Sequence, residues 1–516
     1  MSSHYPVVVV GAGPTGLAIA NLLGKAGIRT LLIERNGSTG VEPRAVSIDD
    51  ESLRVVQAMG LLECVRQEIV LGYGSEYLSP AGRTFLKVHP TAEPYGHPRR
   101  NAFRQPIFEA QLLQGLDRYP HVETRFHCSL DGFEQDPDGV TVRLHARDGK
   151  EPVAIRADYL IACDGARSAV RQQLGYVLQG DSMNERWLIV DLDSSPAPSR
   201  ETLVFCNPAR PTVALPGPHQ TRRYEFKLMP AETDAEMLTD ERVSHLLASH
   251  QAAPGSAIVR KTVYHFHARI ADHWGRGRVW LAGDAAHLSP PFAGQGMNSG
   301  IRDAFNLAWK IVQVLQGRIG PGLIASYERE RTGHVRSMIE LAMRMGAIMG
   351  PRTAHQARAI RLLFRLLDLW PPARNYFAEM KYKPPPRFDG GFLIPSMLSR
   401  HGVVGRMLPQ PRLRTGSRAG CLLDDLLGDG FALLGIGISP EVVSAVSLGK
   451  TWDSLIDTRV SLTAAEAPEL VRHTGRLMVL RPDRYVMACV ALAELPSAIL
   501  QLDRLWNQTW QIAENG

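Results

Sequence analysis

Residues 6–34 read PVVVVGAGPTGLAIANLLGKAGIRTLLIE, and this stretch narrows the fold more than any other. Val7–Val10 is apolar on both faces, as a strand inside a parallel sheet requires. Gly11, Gly13 and Gly16 follow as GxGxxG. Leu17, Ala20, Leu22 and Leu23 then line a helix, and Thr30–Ile33 is a second strand ending at Glu34, 18 residues past Gly16. Strand, glycine turn, helix and strand make a βαβ unit whose turn cradles a dinucleotide. Gly11 permits the tight turn, Gly13 lets backbone approach a pyrophosphate, and Gly16 packs helix on strand. The helix N-terminus offers free N–H groups to the phosphates. Glu34 accepts hydrogen bonds from ribose hydroxyls. The unit alone leaves NAD and FAD open.

Two later strands end in the same manner. ADYLIACDGARSAVRQQLG (157–175) reaches Asp164-Gly165, and Val279–Ala282 reaches Gly283-Asp284 before LSPPFAGQGMNSG. Ligands of open α/β sheets gather at the carboxyl ends of strands. Three such ends converging on one ligand require an extended molecule, which favours FAD. Pro290 and Pro291 stiffen the last loop. Met297 and Asn298 then open an amphipathic helix with an apolar stripe of Ile301, Ala304, Phe305, Ala308, Ile311, Val312 and Leu315.

The triplet of GxGxxG, DGARSAVR and GDAAHLSPPFAGQGMN resembles the FAD-dependent aromatic hydroxylases. These are single-component flavoprotein monooxygenases of the p-hydroxybenzoate hydroxylase fold. The resemblance covers about residues 5–345 and is nearest to the 3-(3-hydroxyphenyl)propionate hydroxylases. It implies that Asp284 holds a ribityl hydroxyl, an acceptor-only carboxylate meeting a sugar-like OH. It places the Pro291 carbonyl near the flavin's reactive edge and the substrate, which makes Pro291 the catalytic candidate. Gly294 and Gly296 let backbone approach the ring, and the helix start at Met297 and Asn298 faces the N1 and C2=O edge. A helix N-terminus there favours an anion by about 0.3–1 kcal/mol.

The same resemblance adds Arg35, Arg44, Gln105 and Asp164 to the cofactor-binding set. Arg44 belongs near the pyrophosphate and flavin, Gln105 near the ribityl or phosphate region, and Asp164 with both FAD and nicotinamide use. Read as residues alone, Gln105 is equally a helix cap, Asp164 a strand-end acid and Arg44 a surface arginine. No second GxGxxG exists, which fits the resemblance to a family whose NADH or NADPH visits transiently, and the choice between them stays open. The implied reaction adds O₂ at flavin C4a and transfers OH from the hydroperoxide to a phenolic acid, ortho to its hydroxyl. 3-(3-Hydroxyphenyl)propionate and 3-hydroxycinnamate are the expected substrates. Hydroxylation of polycyclic polyketides or antibiotics, and a flavin-binding protein without turnover, are the alternatives.

The rest of the chain completes an α/β fold, α+β overall: a Rossmann-like FAD domain, an antiparallel-sheet substrate domain and a thioredoxin-like tail. Residues 1–184 and 271–390 are assigned to the first, with a helical segment. Residues 185–270, joined by part of 72–100, are assigned to the second, and 400–516 to the third. RRYEFKLMP and TVYHFHARIAD alternate with period two. Arg223, Tyr224, Phe226, His265 and His267 on them are eligible for the pocket. KYKPPPRFDGG (381–391) reads as a boundary. The tail reads β-α-β-α-β-β-α, with a Pro-Asp turn in RPDR (481–484). It lacks CxxC, so it reads as a structural or oligomer-forming module, which allows a homodimer.

Composition limits partners. The net charge is +6, but no basic block marks a nucleic-acid surface, and the arginines suit small anions better. Six scattered cysteines show no metal-ligand spacing and fit a reducing compartment. Neither a signal-peptide core nor an apolar run of about 18 residues is present, so a cytoplasmic location without a membrane partner is expected.

Overall fold

The computed structural model describes residues 4–146, 152–195, 199–250, 252–399 and 402–511. Its first sheet has a parallel core in the order Val279–Leu281, Val153–Ala162, His4–Val10, Thr30–Ile33 and Val122–Arg125. The register explains why the motifs meet. Val10 lies opposite both Ala162 and Ile33, and Ala162 lies opposite Leu281. The strands therefore end level, and Gly11, Glu34, Asp164 and Asp284 all follow from one edge. Helix Pro14–Lys25 begins at that edge, and helix Gly296–Leu315 packs against it.

Close approach here depends on glycine. A Cβ on Gly16 would lie 1.9 Å from the Gly11 carbonyl oxygen, and one on Gly300 would lie 2.3 Å from Thr15 Oγ1. Gly11 itself has φ +103°, in the region that favours glycine.

The second sheet has eight strands. Long strands Leu178–Asp193 and Ala257–Ala271 pair antiparallel at one side. Arg222–Lys227, Thr212–Pro216 and Thr202–Phe205 continue it antiparallel, and Ser75–Leu78 joins Thr202–Phe205 in parallel. Thr84–Val88 closes the far edge. Leu178–Asp193 runs across residue 184, so this sheet begins before 185. On strand Arg222–Lys227 alternate residues diverge: Tyr224 and Phe226 enter the apolar cluster under helix Asp240–Ser249, while Arg223 and Glu225 face the cavity described below.

The tail carries a four-stranded sheet in the order Ile456–Leu462, Phe431–Ile436, Arg476–Leu480 and Val486–Ala491. Two helical details differ from the sequence pattern. The first helix expected, over 439–450, forms only at Pro440–Ala445 because Val446 is extended, and a separate short helix, Lys450–Leu455, follows Gly449 at φ +87°. The second, Pro468–His473, is a 3-10 helix.

Sequence periodicity also treats Gly296–Leu315 as a helix with one solvent face. The structure buries every residue from Asn298 to Gln313. Its charged residues are therefore paired inside the protein. Lys310 Nζ meets Glu330 Oε2 at 2.7 Å, and Arg481 of the tail turn meets Glu330 Oε1 at 2.8 Å and Asp483 Oδ2 at 2.6 Å. Asn306 Nδ2 donates to Glu330 and Asp483. The RPDR turn, expected merely to join two strands, is thus plugged into the helix that starts at the cavity. Glu330→Ala leaves Lys310 without a carboxylate and Arg481 with one. We expect a loss of about 3–5 kcal/mol, read as a lower urea midpoint together with faster proteolysis between the tail and the rest. An unchanged midpoint would refute this role.

Candidate active site

A cavity of about 340 Å³ lies between the level strand ends of the first sheet and the second sheet. Gly13, Gly165, Asp284, Pro291, Gly296 and Met297 contribute to its lining, with Arg44 and Gln105. Gly13 caps helix Pro14–Lys25 with no side-chain hydrogen bond, and a Cβ there would meet nothing within 4 Å. Open space beside unsatisfied helix N–H groups is the cradle a pyrophosphate needs.

Asp284 follows its strand through a 3-10 turn, Gly283–Ala285, that requires φ +62° at Gly283. Protein encloses this carboxylate, but its side chain is exposed to the cavity and accepts no hydrogen bond among the described residues. Burial raises its pKa, against the opposing charges of His287 and Arg44. An unpartnered acceptor aimed into a roomy site suits a hydroxyl-bearing ligand. The neighbouring Asp303 is fully paired instead: His287 Nε2 lies 2.6 Å away, Arg331 Nε 2.8 Å, and the Gly283 N–H donates to it.

Pro291–Ala293 forms a 3-10 turn closed by Gly294 at φ +62°, and the Gly294 N–H donates to the Pro291 carbonyl at 2.7 Å. Gln295 then caps helix Gly296–Leu315 without a side-chain bond, so the first N–H groups face the cavity. Asn298 points elsewhere. Its Nδ2 donates to Ser47 and Gly294 carbonyls, and its Oδ1 accepts from the Asp49 N–H. It ties the proline loop to residues 47–49.

The remaining expected residues fall as follows. Glu34 accepts from the Ala12 N–H at 2.9 Å and from Asn36. Arg35 is exposed and apart from the cavity. Gln105 is not a cap, since Arg104 holds that position. Its Oε1 accepts from Ala45 N–H and its Nε2 donates to Glu109, both at 2.6 Å, which steadies the Arg44 segment. Asp164 receives the Val170 N–H, its other oxygen is buried without a partner, and burial raises its pKa. Of the five eligible sheet residues only Arg223 lines the cavity. His267 instead meets Ser182, and Tyr224 and Phe226 lie on the opposite face.

Two groups escaped the sequence reading. One is the acid run Asp49-Asp50-Glu51, whose three carboxylates lie within 4.8 Å of one another. Lys383, from the supposed boundary 381–391, places its ammonium 2.7 Å from Glu51 and 3.0 Å from Asp49, and Arg302 adds a second cation 2.8 Å from Asp49. Burial opposes the Asp49 charge, but Lys383 and Arg302 outweigh it and hold its pKa far below the usual range. The other group is the cavity roof. The strand register sets Ser75, Thr202, Leu215 and Arg223 in one row and Tyr77, Val204, Val213 and Glu225 in the next. All eight line the cavity. Only long-range strand pairing assembles these rows, so no local pattern reveals them.

A nucleotide-binding sheet whose loop and helix start floor a cavity roofed by an antiparallel sheet is the arrangement of a flavoprotein hydroxylase. A family model described as an FAD binding domain matches residues 4–342, and a second, the HcaD C-terminal domain, matches residues 405–472. The 3-(3-hydroxy-phenyl)propionate/3-hydroxycinnamic acid hydroxylases of Klebsiella pneumoniae and Shigella sonnei are 37% and 36% identical to this chain over 505 residues, covering 93% of it and 91% of each. Among solved structures, the flavin-dependent monooxygenase PieE superposes with a TM-score of 0.80 at 23% identity, over 98% of this chain and 99% of its own. p-Nitrophenol 4-monooxygenase PnpA from Pseudomonas putida gives 0.68 at 26% identity, over 74% and 98%. The chain belongs to the family of FAD-dependent aromatic monooxygenases. No helix among the described residues is long and apolar enough to cross a membrane.

Glu225 gives the site a measurable titration. Burial pushes its carboxyl from the ordinary 4.5 to about 7, with Arg223 opposing and Asp191 adding to the shift. The folded protein thus holds this proton more tightly than the unfolded chain. The resulting stability is complete below the ordinary value and is lost as pH rises through about 7. Between pH 5 and pH 8 the parent should lose on the order of 2–3 kcal/mol more stability than Glu225→Gln. Parallel stability–pH curves for the two proteins would show that the carboxyl titrates normally.

Proposed function

We propose that this enzyme hydroxylates a phenolic acid ortho to its OH, with 3-(3-hydroxyphenyl)propionate or 3-hydroxycinnamate as substrate. One O₂ and one NADH or NADPH are consumed; one oxygen atom enters the ring to give a catechol and the other leaves as water. The observation that carries this reading is the likeness to hydroxylases named for these two acids along 93% of the chain. A phenol oxygen donates electron density to its ortho carbon, which directs attack there.

Bound FAD supplies the activation of O₂. The protein binds, orients and excludes water. Gly11, Gly13 and Gly16 with the adjoining helix start hold the pyrophosphate; Glu34 and Arg35 serve the adenosine end. Arg44 approaches from its loop, which Gln105 steadies, and Asp164 sits at the second strand end. Asp284 accepts from a ribityl hydroxyl. The helix start at Gly296, Met297 and Asn298 favours negative charge at the ring edge it faces. Pro291 would present its carbonyl to ring and substrate, and Val204, Val213 and Leu215 at the middle of the roof would keep water from the reacting atoms.

The reading extends to organisation. Residues 1–184 and 271–390 build the flavin site, 185–270 with strands from 72–100 the substrate roof, and 400–516 a thioredoxin-like module. Six free cysteines support a reducing, cytoplasmic setting. The exposed stripe Leu362, Leu366, Leu369 and Trp370 supports a homodimer, tested by sedimentation.

Three measurements test the chemistry. Asp284→Ala should lower FAD occupancy at least roughly tenfold while the chain stays folded, in line with losing a hydrogen bond to a charged acceptor; full occupancy would remove Asp284 from the ribityl site. Incubation with phenolic acids and polycyclic phenols under NADH and then NADPH should give a 2,3-dihydroxyphenyl product from 3-(3-hydroxyphenyl)propionate. Turnover of polycyclic phenols alone would move the substrate class, and no oxidation across the panel would remove the enzymatic reading. In the tail, Cys421→Ser with Cys489→Ser should leave turnover unchanged, because both thiols are free, one exposed and one half-buried, with no CxxC partner in sequence. A large loss without unfolding would mean that the tail does thiol chemistry.

A further inference from the structure

Two of the five cations that line the cavity are neutralised by carboxylates. Arg223 is paired with Asp191 at 2.7 Å, and Lys383 is paired with Asp49 and Glu51. Arg44, Arg99 and Arg100 line the cavity without an ion pair among the described residues. Arg44 faces the cofactor floor, where its charge acts on Asp284 and Glu109. Arg99 donates to the Met380 carbonyl and lies near Asp50 and Glu379.

Arg100 differs. It donates to Ser75 Oγ on the roof strand, its guanidinium stands 4.4 Å over the Tyr73 ring, and the titratable groups acting on it are Tyr73, Tyr77 and Tyr382. No carboxylate balances it. A guanidinium has five N–H donors, and the side chains that Arg100 bonds, Ser75 and Tyr73, are both uncharged hydroxyl groups. An enclosed cation without a counter-ion is costly, and an anionic ligand removes that cost.

The roof rows give this cation a direction. Ser75 and Tyr77 stand at one end, Arg223 and Glu225 at the other, with Val204, Val213 and Leu215 between. Three strand spacings, about 14 Å, separate the ends. The proline loop lies toward the Glu225 end. Phe292 packs on Trp187 and Phe266, with ring centroids 5.5 and 5.6 Å apart, and Trp187 pairs with Lys227 of the Glu225 strand. A bare phenol reaches one end of this roof only. An aromatic acid with a short side chain reaches both.

We propose that Arg100 binds the carboxylate of the substrate, so that the ring lies under the valine and leucine rows and the phenol end turns toward Pro291 and Glu225. This assignment rests on the phenolic-acid reading. A bidentate guanidinium–carboxylate contact fixes both position and rotation, which a single point charge does not. A neutral phenol leaves Arg100 unbalanced, so the residue selects for acids as well as holding them.

The test uses FAD-loaded enzyme without NAD(P)H and reads binding from the flavin absorbance change. The probes are 3-(3-hydroxyphenyl)propionate and the neutral alcohol 3-(3-hydroxyphenyl)propan-1-ol. Arg100→Gln should weaken the acid roughly 10- to 100-fold, the range for a lost hydrogen bond to a charged group, while the alcohol changes little. Equal weakening of both ligands, or retained preference for the acid, overturns the assignment. If Arg100→Gln fails to hold FAD, Arg100→Lys decides: a loss confined to the acid supports the proposal, and an equal loss overturns it. Parent enzyme that turns over the acid while Arg100→Gln keeps its selectivity defeats only the Arg100 role. Parent enzyme that hydroxylates no phenolic acid defeats the functional reading and this inference together.

Discussion

The helix Gly296–Leu315 carries a polar row at every fourth residue, Asn298, Arg302, Asn306 and Lys310, and the whole row is buried. An i, i+4 row stays on one face of a helix, so these groups point along a single seam where three parts of the chain meet. Asn298 and Arg302 engage residues 47–51, and Arg302 shares Asp49 with Lys383. Asn306 and Lys310 engage Glu330, and Glu330 engages Arg481 of the tail turn. Burying ionised groups is costly unless each is paired and hydrogen-bonded. That cost makes the seam specific: sliding any one segment by a turn would strand several charges at once.

The seam begins where the cavity does. The residues just ahead of it, Pro291 to Gln295, form the proline loop, and Arg302 donates to Gln295 Oε1 at 2.7 Å. The loop therefore inherits its position from a network extending into the tail. This gives a tail without CxxC a physical role in the site: Arg481 and Asp483 complete the charge balance of the helix whose start faces the cavity. Burial lowers the Lys310 pKa to about 8 even with Glu330 beside it, and of the two tail residues Arg481 adds to the lowering while Asp483 opposes it.

The local signals in the sequence were strong because they are short-range. Val7–Val10, the GxGxxG turn, the Asp164 and Asp284 strand ends and the proline loop each lie within about one supersecondary unit, where sterics and hydrogen bonding tie residue type to conformation. The apolar stripe from Ile301 to Leu315 was legible for the same reason. What periodicity could not show was whether the other face of that helix met water or protein, because hydrophobic pattern reports contrast, not environment. Arg302 and Lys310 look like solvated charges until Asp49 and Glu330 arrive from distant sequence. Lys383 was hidden by its context, a proline-rich stretch that reads as a spacer. The helix expected over 439–450 stopped at Ala445, where Val446 turns extended, and a second one began only after Gly449 at φ +87°.

The cavity roof is the extreme case of nonlocal assembly. Ser75 pairs with Thr202 across a parallel contact, while Thr202 reaches Arg223 through two antiparallel ones. Each residue alone is an unremarkable strand position. Together they set tyrosine and serine at one end, an arginine and a carboxyl at the other, and valine and leucine between. The enclosure then amplifies these differences, because charges in a poorly solvated space interact more strongly than at a surface. Burial has already taken Glu225 to a pKa of about 7, so near neutral pH the same carboxyl changes between hydrogen-bond donor and pure acceptor. A roof with a titrating acid at one end, and the Arg100 guanidinium held by Ser75 at the other, distinguishes the two ends of an elongated ligand without needing a tight steric fit. The first sheet and the proline loop border the cavity from one side; it is this polarity across distant strands that gives the space a direction.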